Sequence, residues 1–304
     1  MAQSRLSSAF SFGTELWDPS HRFQTSWLLP PWVLFGIRAT ISLYAFAVTF
    51  FIIGWQLSEH DGLSIHDVNK SFSYFTNTNA WKVLCYWGIS FYFLIAAIHT
   101  FTYALHGATP LLNRLPRPLQ ALHHLFHTTI ITFPFLVTIV YWAILYAPFS
   151  SSFSLWSNIS QHGLNSLFGL FEILVTRINP SPWTHLPFLV IILACYLTLA
   201  YSTYATKGYY VYNFLNPNPP HYVQTAAGTQ NIGGVGKAAV VGYVFGIAVA
   251  ICVIFCASRG LMWARKYVME KKLGRMGRFY AGRSVESGET ELEMQLVIEK
   301  PADK

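Results

Sequence analysis

The chain has 304 residues, 53% hydrophobic, 17% aromatic and only 11% charged, with a mean hydropathy of +0.37. Soluble domains carry about 25% charged residues, so this composition excludes an ordinary soluble enzyme and points to an all-α, polytopic membrane helix bundle. The formal net charge of +7 excludes a nucleic-acid binder, because there is no recognised motif and no basic domain; the cations crowd instead between Arg259 and Arg283.

Residues 1–31 form a polar, Pro-containing lead with no apolar signal core, so the first span is expected to serve as the anchor. Apolar stretches then predict about six transmembrane helices: Trp32 to Trp55, Trp81 to about Leu105, Leu122 to about Phe149, about Ser160 to Ile178, Trp183 to about Thr206, and Ala238 to Trp263. Tryptophans at the ends of the first span match an interfacial aromatic belt. Pro134 inside the third predicts a kink. Residues 32–263 are thus the membrane domain, and residues 264–304 a basic, then acidic, tail expected to be disordered. All four cysteines fall in apolar segments, which argues against a disulfide framework or a thiolate zinc site.

Six spans put both termini on one side of the membrane. Arg114, Arg117, Arg177 and the basic tail fall on that same side, so both termini are expected in the cytoplasm, with Lys207 and Lys237 as exceptions. A basic cluster after a last span reads as an anchor against anionic lipid heads. The opposite loops hold two sequons, at Asn69 and Asn158.

Ionisable groups inside membrane segments are costly, so each asks for a partner or a purpose. His162 opens the fourth span and is the candidate base of a small active site. Thr76 precedes the second span on the same, non-cytoplasmic face, and the tyrosine-rich GYYVYNFLNPNPP follows the fifth there. A threonine hydroxyl needs a base to become a nucleophile, and a near-neutral imidazole can take that proton and return it to a leaving alcohol. Asn165, one turn on, is placed to orient the imidazole or stabilise an oxyanion, and Tyr209, Tyr210 and Tyr212 to close a substrate lip. The bland alternative makes Thr76 a helix cap and His162 an interfacial polar residue. Deeper in the bundle, Glu172 and Arg38 are expected to form a structural ion pair.

A second constellation competes. His99 and His106 lie toward the cytoplasmic end of span two, and His123, His124 and His127 begin span three on that side. Imidazoles so gathered suit iron, zinc or haem, the basis of an alternative oxidoreductase reading. The main reading needs no metal or cofactor.

YFTNTNAW, FPFLVTIVYWAILYAP, HGLN and GYYVYNFLNP occur in that order. Together they resemble the androgen-induced-gene and androgen-dependent-regulator family of multispanning membrane proteins, in a fungal-type form. RFQTSWLLPPWVLFGIR resembles the related rolling stone-like proteins. The resemblance covers roughly Phe23 to Pro217. It implies a threonine and a histidine acting together on fatty acid esters of hydroxy fatty acids, at positions matched here by Thr76 and His162. Three features depart from the pattern. Asn77, Thr78 and Asn79 replace apolar residues, the threonine that follows the histidine in human-type members has no match, and the tail after Trp263 lies outside it. The expected protein is therefore an integral membrane lipid-ester hydrolase of the endoplasmic reticulum or another endomembrane, with the plasma membrane as the other location. Its partners would be membrane lipids and a lipid-ester substrate. The alternative is a non-enzymatic scaffold or carrier of the same fold.

Overall fold

The computed structural model of the protein describes residues 17–58, 80–107, 110–146, 148–149, 151–225, 228–231 and 233–279. It is a helix bundle. In chain order the helices are α1 (Pro31–Ser58), α2 (Ala80–His106), α3 (Leu111–Arg114), α4 (Arg117–Ile130) and α5 (Phe133–Val140), the last running into a π-helical turn, Tyr141–Leu145. Then come α6 (Ser152–Ile159), a second π-helical turn (Ser160–Leu164), α7 (Asn165–Val175), α8 (His185–Lys207) and α9 (Lys237–Lys266). Among the described residues, five segments are long and apolar enough to cross a membrane: Pro31–Trp55, Cys85–His106, Arg117–Leu145, His185–Thr206 and Lys237–Lys272. They fit a multi-pass membrane protein.

α1 and α2 pack as an antiparallel pair. Trp32 and Phe35 meet Phe101 at one end, Ser42 Oγ donates to the Ser90 carbonyl at 2.9 Å midway, and Phe50 meets Trp87 at the other. The third apolar segment breaks at Ile131 and Thr132, with Pro134 in the first turn of α5. Proline lacks an N–H, so the carbonyl four residues earlier, on Ile130, loses its usual donor. Gly169 of α7 packs against that carbonyl; a Cβ there would come within 2.9 Å of it. Ser258 Oγ of α9 donates to the neighbouring Ile131 carbonyl at 2.7 Å. The break is thus where three helices meet.

The structure departs from the sequence reading, or adds to it, at four places. The fourth helical stretch starts at Ser152, not Ser160, and its mixed composition keeps it out of the five strongly apolar segments. A two-stranded antiparallel hairpin, β1 (Tyr222–Thr225) and β2 (Gly228–Asn231), lies between α8 and α9, so the chain is not wholly α. The described part of the lead is built into the bundle: Phe23, Gln24, Thr25, Ser26 and Trp27 are buried, and Ser26 bridges both Thr176 and Arg278. The first part of the tail is ordered too, since α9 continues through a π-helical turn, Tyr267–Lys272, and Arg22 pairs with Glu270 at 2.8 Å. Arg177 lies between Trp27 and Phe279, 5.4 and 4.6 Å from their rings. A side chain on Gly277, at φ 113°, would collide with the Arg177 stem, so the tail can run this close only as glycine.

Candidate functional site

Ser151 caps α6 by accepting from the Ser154 N–H at 3.1 Å, and the helix runs on without a break into α7. His162 therefore sits about ten residues inside a helix rather than at its mouth, and a π-helical turn carries it. Such widened turns occur mostly as single insertions, often at functional sites. The imidazole is buried and stacks on Tyr141, ring centres 3.8 Å apart and 5° from parallel. Tyr141 lies in the other π-helical turn, so two widened turns from separate helices supply the stacked pair.

Thr138 knits this crossing together. Its hydroxyl donates to the His162 carbonyl, lies 2.6 Å from Ser166 Oγ, and is 3.1 Å from Asn165 Oδ1. Ser166 Oγ donates to the Pro134 carbonyl at 3.1 Å, and Asn165 Oδ1 also accepts the Ser166 N–H at 2.7 Å. The oxygen of Asn165 is thus committed to the helix crossing. The sequon at Asn158 falls inside α6, where its amide donates to the Ser154 carbonyl at 2.8 Å and Ser160 is buried against Tyr44; it is not a loop acceptor.

Beside His162 and Tyr141 is an apolar cavity of about 170 Å³. Its other walls come from α5, α8, α9 and the segment Tyr212–Leu215. Among the described residues the lining includes Tyr212 but neither Tyr209 nor Tyr210. Tyr212 accepts a hydrogen bond from Tyr196 at 3.2 Å and stacks on Phe214. Tyr210 stacks on Tyr204 at 4.0 Å, against the end of α8, and Tyr209 is half-buried. Of the expected lip, one tyrosine reaches the cavity. Thr76 lies outside the described residues. Tyr141 and Tyr196 were not singled out in the sequence; a ring stack between separate helices leaves no local signature.

Arg38 and Glu172 come together. Arg38 Nε and Nη2 donate to the two carboxylate oxygens at 2.9 and 2.8 Å, and both side chains are 0% exposed. Tyr92 donates to the same carboxylate at 3.0 Å, while Arg38 Nη1 donates to the Phe23 carbonyl at 2.8 Å and to Thr100 Oγ1 at 2.7 Å. A buried ion pair is tolerable only when its remaining donors and acceptors are also satisfied, and this one is embedded in such a network.

The histidine cluster lies nearby. His99 and His123 have ring centres 4.9 Å apart, His124 and His127 6.4 Å, and His124 and His185 4.9 Å. Phe23 of the lead plugs the group, 5.5 Å from His123 and 5.2 Å from His124. His106 is exposed at the end of α2 and takes no part, while His185, bonded to Thr128 at 2.7 Å, joins instead. Among the described residues, no group of three or more His, Cys, Asp or Glu side chains is arranged to hold a metal ion. The nitrogens of His99 and His127, and Nε2 of His124, are buried with no hydrogen-bond partner among the described residues.

No family model matches the chain, and no curated protein or solved structure matches it.

Proposed function

We propose that the chain is a six-span membrane lipid-ester hydrolase of the androgen-induced-gene and androgen-dependent-regulator type. In this reading His162 is the base for the Thr76 hydroxyl. The observation that carries it is His162 itself: an imidazole buried in a widened helical turn, on the wall of an apolar cavity inside a bundle of membrane-crossing length.

The chemistry follows from those parts. The Thr76 oxygen attacks the ester carbonyl while His162 takes its proton. Collapse of the tetrahedral intermediate expels the alcohol, which receives that proton, and leaves an acyl-threonine. Water, activated by the same imidazole, then releases the fatty acid and restores the hydroxyl. Asn165 Oδ1 accepts the Ser166 N–H, and the side chain's proposed part is to orient the imidazole or meet an oxyanion.

The sixth crossing would be Ser152–Val175. The meeting of the lead, Arg177 and the tail at one end of the bundle supports an even number of crossings between them. The basic residues gathered there favour the cytoplasm for that end and for both termini, in an endomembrane such as the endoplasmic reticulum.

The test is hydrolysis of a fatty acid ester of a hydroxy fatty acid by purified protein in lipid vesicles. His162→Ala and Thr76→Ala are each expected to lower the rate by about a hundredfold or more, with accumulation in the membrane unchanged. Full activity in His162→Ala would sink the dyad. A wild type that is folded and binds lipid but is inert would favour the carrier reading.

A further inference from the structure

The cavity beside His162 has an open side. Val190, 38% exposed, and Ala194 of α8 stand on its rim, and Ala248 of α9 lines it half-buried. The same two helices turn large apolar side chains outward: Phe188 and Ile191 on α8, and Phe245 (68% exposed), Val249 and Val253 on α9. In a bilayer those faces meet acyl chains, and the cavity rim is continuous with them. Ala194 and Ala248 bring small side chains to the cavity from the two helices.

The lining carries no Asp, Glu, Lys or Arg among the described residues. Its polar groups are the ring of His162 and three tyrosines, of which Tyr196 and Tyr212 bond to each other. A zwitterionic or anionic head group would lose its hydration there without compensation, whereas a hydrocarbon chain would not. Burial from lipid into an apolar cavity gains little hydrophobic free energy, because lipid tails are as apolar as leucine. Occupancy must then be decided by close packing, that is, by length and shape. A dry protein cavity of about 150 Å³ holds a benzene ring, so this one, at about 170 Å³, has room for about six carbons.

We propose that the cavity is an acyl-chain pocket filled sideways from the bilayer, through the seam between α8 and α9, and that it encloses about six carbons of one chain. Chain binding stands on the cavity and its rim; only delivery of the chain's ester to His162 rests on the hydrolase reading.

Photo-crosslinking separates the two. The protein is reconstituted in phosphatidylcholine vesicles containing a phosphatidylcholine whose acyl chain carries a terminal diazirine. Labelled peptides are located by mass spectrometry. The wild type is expected to label at Leu136–Tyr141 inside the cavity as well as at Phe245 and Val249 outside. Ala194→Trp combined with Ala248→Trp is expected to lose the inner labelling and keep the outer. Ala194→Leu, a smaller obstruction, is expected to lower it partly, which guards against misfolding of the double variant. Labelling confined to the outer faces in the wild type, or inner labelling undiminished with the seam blocked, would overturn the proposal. The double variant should also hydrolyse a vesicle-embedded ester more slowly than the wild type. If the wild type does not cleave that ester, the hydrolase reading fails and the labelling still decides the pocket.

Discussion

The helical stretch from Ser152 to Val175 carries two ionisable side chains, ten residues and about 15 Å apart, in opposite circumstances. At Glu172 every neighbour closes in: a bidentate guanidinium, a tyrosine hydroxyl, and a lead segment folded over the end of the bundle. At His162 the neighbours include the Tyr141 ring and an apolar space. A charge buried in low dielectric needs complete satisfaction to be tolerated, which makes the Glu172 end rigid and poor at exchanging partners. An imidazole on the wall of a cavity has space beside it for a ligand. On the proposed hydrolase reading, the sealed end holds the bundle and the cavity end carries the chemistry.

The largest effect should follow from breaking the sealed end. Glu172→Ala leaves the Arg38 guanidinium fully buried with no counter-charge, a loss of about 3–5 kcal/mol against a total stability of about 5–15 kcal/mol. The variant should accumulate poorly and elute as aggregate in size-exclusion chromatography. Arg38→Met with Glu172→Leu removes both charges and should recover most of the folded protein. A Glu172→Ala protein that melts like the wild type would show that the pair does not hold the bundle.

At the open end the expected stability cost is smaller and the functional cost larger. Thr138→Val removes the hydroxyl that supports the His162 carbonyl and meets Asn165 and Ser166. The loss should be about 1 kcal/mol. That corresponds to a fall of a few degrees in melting temperature. If the π-helical turn positions the imidazole, ester hydrolysis should fall well beyond what that lost stability explains. An equal, small decline in both would leave Thr138 as helix packing alone.

How much of this was legible follows the same division. The apolar segments are visible because bilayer thickness sets their length, and the break near Pro134 because proline cannot complete the helix. The Arg38–Glu172 contact could be read because two buried opposite charges have few other ways to be satisfied. The start of the fourth helical stretch was not legible, since SSFSLWSN is polar and resembles a loop until Ser151 is seen capping it. Neither were the π-helical turns, which have no residue signature, nor the docking of the lead onto the tail, which depends on contacts between residues far apart in sequence such as Arg22 and Glu270. Thr76 remains a sequence-based proposal, because it lies outside the described residues.

The smallest effect belongs to the lead, and pH reads it. Asp18 is buried at the start of the turn that carries His21 at φ 51°. Its Oδ2 accepts the Phe23 N–H at 3.0 Å and its carbonyl accepts the His21 N–H at 3.2 Å. Burial raises its pKa above the usual 3.8, while the N–H groups of Arg22 and Phe23 and the charges of Arg22 and Arg177 oppose that rise. Between the unfolded and the raised folded value the native state holds the extra proton, so stability falls as pH rises through that window and levels off above it. Asp18→Asn keeps an oxygen acceptor for Phe23 and removes the titration. The variant should therefore match the wild type near pH 4 and melt slightly higher near neutrality, in thermal denaturation followed across that range. A wild type that instead gains stability as pH rises from 4, with the gain lost in Asp18→Asn, would mean that the two arginines outweigh burial and that the lead is held by charge rather than by its turn.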